Sequence, residues 1–336
     1  MRLLASILVI FLLPALSAGQ AGPIPGTQPL NPVFQKADLV CSCRVRFATT
    51  QRASSLPKTS ADTVRLTASV LRAYKSAEGL SRSIFVEYPG DPMSNDPGVT
   101  PGAVLLLFLV QTGPQTYTLA DPFIGLTRFA KLNVGRPVVQ GLDDLQTALA
   151  TVAQQGFHTD RVNAMRLLAG FANFLPETIS VANSLSTSQD PELAFSALAL
   201  LVRADAGHGV PSLRLYIDHY RSERPPISFF AAASVLGTVS DRRALPDLEA
   251  LSGSKYLWIQ LASMASIRHI ASPTSAHVLI QRLDDPNRLV KYSALITLAE
   301  IFGKGGDFGP SAELFDKDPR PYIRRWKDWL VNTGYK

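Results

Sequence analysis

The sequence predicts an α+β multidomain chain, a small N-terminal β-barrel followed by an all-α array of repeated helix pairs. Three observations carry this reading. Between residue 37 and about residue 135, short runs are either apolar and β-branched or alternate between apolar and polar, the period of strands. From about residue 141 the apolar residues recur with the helical period. Within that helical region a single pattern returns every 31 to 35 residues, the length of a stacked helix pair.

Composition bounds the alternatives. The chain has 336 residues, 46% apolar and 18% charged, enough apolar surface to bury a core. Lys and Arg outnumber Asp and Glu by 33 to 27 without a long run of either sign, so the surface is mildly basic and no nucleic-acid partner is expected. Two cysteines are too few for a disulfide scaffold, and five scattered histidines argue against a His-rich metal site.

Residues 1–19 have the three segments of a signal peptide: Arg2, an apolar run from Leu3 to Leu13, then Pro14 and small residues. The run is shorter than the roughly 20 residues of a membrane span. Ser17 and Gly19 suit a cut before Gln20, with a cut after Ala21 as second choice and an uncleaved anchor as the alternative. The expected location is therefore exported, periplasmic or extracellular, with no integral membrane span once the signal is removed. Residues 20–36, rich in Pro and Gly, read as an extended linker.

The barrel is expected over residues 37–135. Its strands are 37–48, 63–74, 83–88, 103–112 and 116–121, and residues 123–129 close the set. The second alternates cleanly, with Val64, Leu66, Ala68 and Val70 on one face. The fourth contains AVLLLFLV between Pro101-Gly102 and Gly113-Pro114, a buried strand and not a second span. A closed barrel is the way so few strands avoid open edges. ADLV with its strand, the alternating strand, and PGAVLLLFL turning into TYTLA resemble the netrin-like, tissue-inhibitor-of-metalloproteinase-like OB barrel. That resemblance implies an OB-like module. The inhibitor family's working Cys-x-Cys stands at its mature N-terminus, whereas Cys41-Ser42-Cys43 lies inside the first strand, so inhibition is not carried over. Cys41 and Cys43 share one strand face with Cα atoms roughly 6.5–7 Å apart, the far edge of disulfide reach. Paired buried thiols, a distorted disulfide and an intermolecular bond all remain open for them.

Residues 141–336 read as helical, beginning at GLDDLQTALATVAQQ, with prolines such as Pro176, Pro191, Pro211, Pro246 and Pro273 marking breaks. Leu168, Leu201, Leu236, Ile267 and Leu298 form a stripe spaced by 33, 35, 31 and 31 residues. Four positions before each stands a small residue: Ala164, Ala197, Ala232, Ser263 and Ala294. Small against large is what closely packed helices require. The following helices keep step through Leu213, Leu248 and Leu279. Segments 231–251, 261–286 and 290–306 resemble the HEAT-repeat family in its short bacterial form. The resemblance implies a HEAT-type α-solenoid in which Asp190-Pro191 and Asp284-Pro286 mark turns whose Asp caps the next helix. PYIRRWKDWLVN (321–332) sets Ile323, Trp326 and Leu330 on one stripe and basic residues opposite, as a solenoid's capping helix does.

The motifs offer little chemistry. GKGGDFG (303–309) lacks the spacing of a phosphate loop. Ser55–Lys58 and Ser252–Lys255 have S-x-x-K spacing but contain Pro57 and Gly253 and lack the companion motifs. Asp91, Asn95 and Asp96 lack the Gly and Glu of a calcium loop. His269 and His277 have no third ligand. The sequence therefore proposes no catalytic residue, no cofactor and no metal. It points to a non-enzymatic interaction or scaffold protein with a protein partner, and to Arg268, His269 and Lys291 as an interaction surface off the stripe. The alternative is a cell-envelope enzyme or inhibitor-like module with its site at the barrel mouth or in the groove between the domains.

Overall fold

The computed structural model describes residues 29–51, 63–76, 81–89, 99–121, 126–130, 141–219, 228–306 and 308–334. The expected signal peptide and its cut, and the segments holding Ser55–Lys58 and Asp91–Asp96, lie outside the described residues.

Six strands form the N-terminal unit: β1 (Leu39–Gln51), β2 (Thr63–Lys75), β3 (Ser83–Pro89), β4 (Val104–Gly113), β5 (Thr116–Leu119) and β6 (Leu126–Phe129). The hydrogen-bonded order β1-β2-β3-β5-β4 returns to β1, so five strands close a ring. Among the described residues only the β3–β5 pairing is parallel, and β6 pairs with the edge of β4 beside β5. This topology fits an OB fold. Leu39, Cys41, Val45, Leu66, Ile84 and Leu107 belong to the apolar core inside the ring.

The apolar run in β4 has a simple cause. Leu105, Leu107 and Leu109 face the barrel interior, while Val104, Leu106 and Phe108 point outward and join the core formed with the helices. Both faces of β4 are covered, so alternation disappears.

The segment expected to be a linker departs from that reading. Leu30–Lys36 is a helix, α1, with Leu30 and Val33 buried. Asn31 Oδ1 accepts from the Ala172 N–H at 3.0 Å, and Lys36 Nζ donates to the Ala120 carbonyl at 2.9 Å. Tertiary contacts on both sides of α1 override a composition that favours coil.

The helices that follow are α2 (Leu142–Gln155), α3 (His158–Leu168), α4 (Pro176–Leu185), α5 (Pro191–Ala204), α6 (Ala206–His219), α7 (Ser228–Leu236), α8 (Leu245–Leu251), α9 (Leu257–Ile270), α10 (Ala276–Arg282), α11 (Arg288–Ile301), α12 (Ala312–Lys317) and α13 (Arg320–Asn332). They pack in two rows. One row runs α3, α5, α7, α9, α11, and α2, α4, α6 and α8 lie beside it. The stripe lies at the centre: Leu168, Leu236, Ile267 and Leu298 are fully buried, as are Ala164, Ala197, Ser263 and Ala294. Leu201 is half-buried, because Leu198 and Leu200 take the inward positions of α5. Ser266 of α9 donates to the Leu236 carbonyl, tying two adjacent helices at the end of α7.

Turn chemistry follows the expected rules with two corrections. Asp190 caps α5, accepting from the N–H groups of Glu192 and Leu193. At the second Asp-Pro site the cap is Asn287, which accepts from Leu289 N–H, while Asp285 accepts from Asn287 one step earlier. Pro211 does not break its helix and sits inside α6. At the far end Trp326 and Leu330 of α13 are buried, and the Trp326 indole donates to the Phe308 carbonyl at 2.8 Å. Arg324 and Arg325 stay exposed.

The barrel and the helices share a core. Val40, Leu106, Phe108 and Phe129 of the barrel pack in one cluster with Leu145, Leu149 and Met165 of α2 and α3. Gln146, 2% exposed, fixes the turn behind this cluster. Its carbonyl accepts from Leu175 N–H and the Thr178 hydroxyl, and its amide donates to the Asn173 carbonyl.

Candidate functional site

A cleft of about 540 Å³ opens where α5 turns into α6 and α7 turns toward α8. That volume lies in the range of ligand sites, roughly 300–1,000 Å³. Its polar walls are Arg203, Asp205, Thr238, Ser240, Asp241 and Arg243, over buried Val202, Val235 and Val239.

The two carboxylates do the same work in successive helix pairs. Asp205 ends α5 in extended backbone, and its Oδ1 accepts from Gly207 N–H at 3.1 Å as α6 begins. Asp241 Oδ1 accepts from Arg243 N–H at 2.9 Å, opening the 3₁₀ turn Arg242–Ala244 that leads into α8. Arg243 then bridges them: its Nη2 lies 2.7 Å from Asp241 Oδ2 and 2.8 Å from Asp205 Oδ1. His208 Nδ1 stands 2.7 Å from the other oxygen of Asp205. A Cβ on Gly207 would come within 2.9 Å of Arg243 Cζ, so glycine lets the guanidinium lie against the start of α6.

These contacts set the titration of the site. The hydrogen bond from His208, with the charge of Arg243, holds the Asp205 carboxyl below the ordinary aspartate value. Asp241 is lowered chiefly by its hydrogen bonds with Arg243, which is itself raised. Both aspartates are thus anions committed to a cation and poor proton donors near neutrality.

Arg203 is different. It has no ion-pair or hydrogen-bond partner among the described residues, and burial alone pushes its guanidinium downward. The Ser240 hydroxyl at the rim is exposed. The cleft therefore combines a wall of two aspartates tied to one arginine with an unspent five-donor cation.

The residues singled out from sequence fall elsewhere. Arg268 is paired with Glu300 of α11 at 3.4 Å and its side chain is 14% exposed. Lys291 is half-buried, nine positions before Glu300 on the same helix, about 13.5 Å of helix axis away. The structure does not bring these two together. His269 is exposed, and it occupies in α9 the place of Arg203 in α5, two positions after the stripe residue. That register was the available signal for Arg203. His277 Nδ1 lies 2.7 Å from the Thr274 carbonyl. Among the described residues no three His, Cys, Asp or Glu side chains gather as a metal cage.

Cys41 and Cys43 are fully buried free thiols inside the barrel. Hydrogen bonding to Cys43, reinforced by burial, raises the Cys41 thiol well above its ordinary value, so it stays protonated and unreactive. On the outer face of the barrel, Thr67 pairs with both Phe47 and Phe85, placing two exposed aromatic rings on one line across β1, β2 and β3. No described helix is long and apolar enough to cross a membrane.

No protein-family model and no curated protein matches this chain. Among solved structures, an engineered protein that was a target of the Northeast Structural Genomics Consortium aligns with a TM-score of 0.36 and 16% identity, over 55% of this chain and 97% of its own. A likeness at that level carries no argument about fold or function.

Proposed function

We propose that this chain is an exported, non-enzymatic interaction protein, working in the periplasm or outside the cell. In this reading the helices form a HEAT-type α-solenoid that holds a protein partner, and the barrel is a netrin-like OB module built into its first turn. The row-by-row packing and the recurring buried stripe support the solenoid. The ring order of the strands supports the OB module.

The observation that carries the interaction reading is the cleft between successive helix pairs. Its aspartates are bound to Arg243 and His208 and so are placed for holding shape, while Arg203 is left with donors unused. Rigid walls around one open cation suit recognition better than proton transfer.

The exposed Phe47 and Phe85 favour a second reading, in which the barrel face is the docking surface and the helices support it. Capture from the native extract separates the two. Arg203→Glu abolishing capture, with Phe47→Ser/Phe85→Ser leaving it intact, supports the helical surface. The opposite pattern assigns binding to the barrel, and capture untouched by both sets refutes both surfaces.

A further inference from the structure

We infer that the cleft beside Arg203 is a carboxylate site, taking an acidic side chain or the carboxyl terminus of a partner polypeptide. This rests on the interaction reading above and names the chemistry that the same cleft recognises.

The charges select the ligand class. Asp205 and Asp241 share Arg243 at 2.7–2.8 Å, a group of net charge −1 whose carboxylate oxygens are taken up by Arg243, His208 and the N–H groups of Gly207 and Arg243, and Arg203 is the cation of the cleft that remains for a ligand to meet. A planar monoanion fits one guanidinium through two parallel N–H donations. A phosphate dianion would bring about twice the charge toward the two fixed aspartates, where like charges repel. The Ser240 hydroxyl at the rim offers a further donor, and Val202, Val235 and Val239 give an apolar floor for the aliphatic portion of a ligand. Partial burial strengthens a charge-assisted contact relative to one made on an open surface. Gly207 keeps the opposite wall in place, since a side chain there would push Arg243 out of its bridge.

The test uses the full chain with ¹⁵N-labelled arginine and follows the side-chain Nε–H signal of Arg203, assigned by its disappearance in Arg203→Lys. Three probes are titrated: N-acetylglutamate N-methylamide for an acidic side chain, N-acetyl-valylglycine for a chain terminus, and inorganic phosphate. A saturable shift from either carboxylate, weakened at least about tenfold for Arg203→Gln as followed by the Nε–H signal of Arg243 across the cleft, supports the inference, and the stronger probe identifies the source. Phosphate shifting the signal as strongly as the carboxylates, or no saturable shift from any carboxylate, overturns it. Melting curves of Arg203→Lys and Arg203→Gln that match the parent show that lost binding is not lost folding. Carboxylate binding without protein capture would sink the interaction reading alone. Protein capture at the cleft without any carboxylate shift would sink only this inference.

Discussion

Arg243 Nη2 lies 2.8 Å from Oδ1 of Asp205, a residue 38 positions earlier that starts the second helix of the preceding pair. The same nitrogen is 2.7 Å from Asp241 Oδ2 in its own turn. One guanidinium thereby joins two successive turns, and its neighbour Arg242 reaches toward the Ser272 hydroxyl in the next, 3.5 Å away. The turns along this edge are linked to each other as well as to their own helices.

Replacing this bridge should separate shape from stability. Arg243→Gln frees two half-buried carboxylates from an exposed guanidinium, and ion pairs at the surface add little to global stability. The melting temperature should stay nearly unchanged while probe binding at Arg203 weakens, because the freed aspartates compete for its guanidinium. Thermal melting alongside the arginine titration checks both halves.

The pH dependence has a definite sign. Asp205 and Asp241 are held below their ordinary value in the folded chain, so their contribution is present above the unfolded aspartate range, about pH 4, and is lost as pH falls through the folded values. The difference in melting temperature between the parent and Asp205→Asn/Asp241→Asn should be constant from about pH 5 to 8 and vanish in stronger acid. A difference that grows as pH falls would contradict the assignment.

The shared core makes the barrel and the helices one cooperative unit. Phe108 and Leu106 of β4 pack with Leu145 and Leu149 of α2. Calorimetry of the intact chain should show the strands and the first helices melting together, and a piece beginning at residue 141 should bind a hydrophobic dye through its uncovered α2 and α3. Two well-separated transitions, with the barrel melting alone, would contradict this.

Core and backbone changes should act at their named positions. Leu236 is fully buried, so Leu236→Ala should lower stability by about 2–5 kcal/mol. Ala271 ends α9 at φ 52°, a left-handed conformation that disfavours any residue with a Cβ. Ala271→Gly should therefore raise stability by about 1 kcal/mol. Denaturant unfolding of both variants gives the two values.

Most elements were legible because their burial is one-sided. Alternation along β2 and the stripe through Leu168, Leu236, Ile267 and Leu298 leave a period that survives in the chain. Helix α1 left none: Pro29, Asn31 and Pro32 read as coil, and only contacts with Ala172 and Ala120 show why it folds. Leu201 slips by one position because three leucines of α5 compete for the inward face. The cleft was illegible for another reason. Arg203, Asp205, Asp241 and Arg243 are ordinary turn residues in two separate repeats, and only stacking brings them together.

The proposed docking of partners at the helical cleft is open to direct measurement. Its most direct measurement is site-specific photo-crosslinking of the full chain in its native extract, with the reactive residue at Ser240 on the cleft rim or at Thr67 between the two exposed phenylalanines. Docking at the cleft gives a discrete protein adduct from Ser240 that disappears with Arg203→Glu, and none from Thr67. An adduct from Thr67 that is indifferent to Arg203, with none from Ser240, would contradict it.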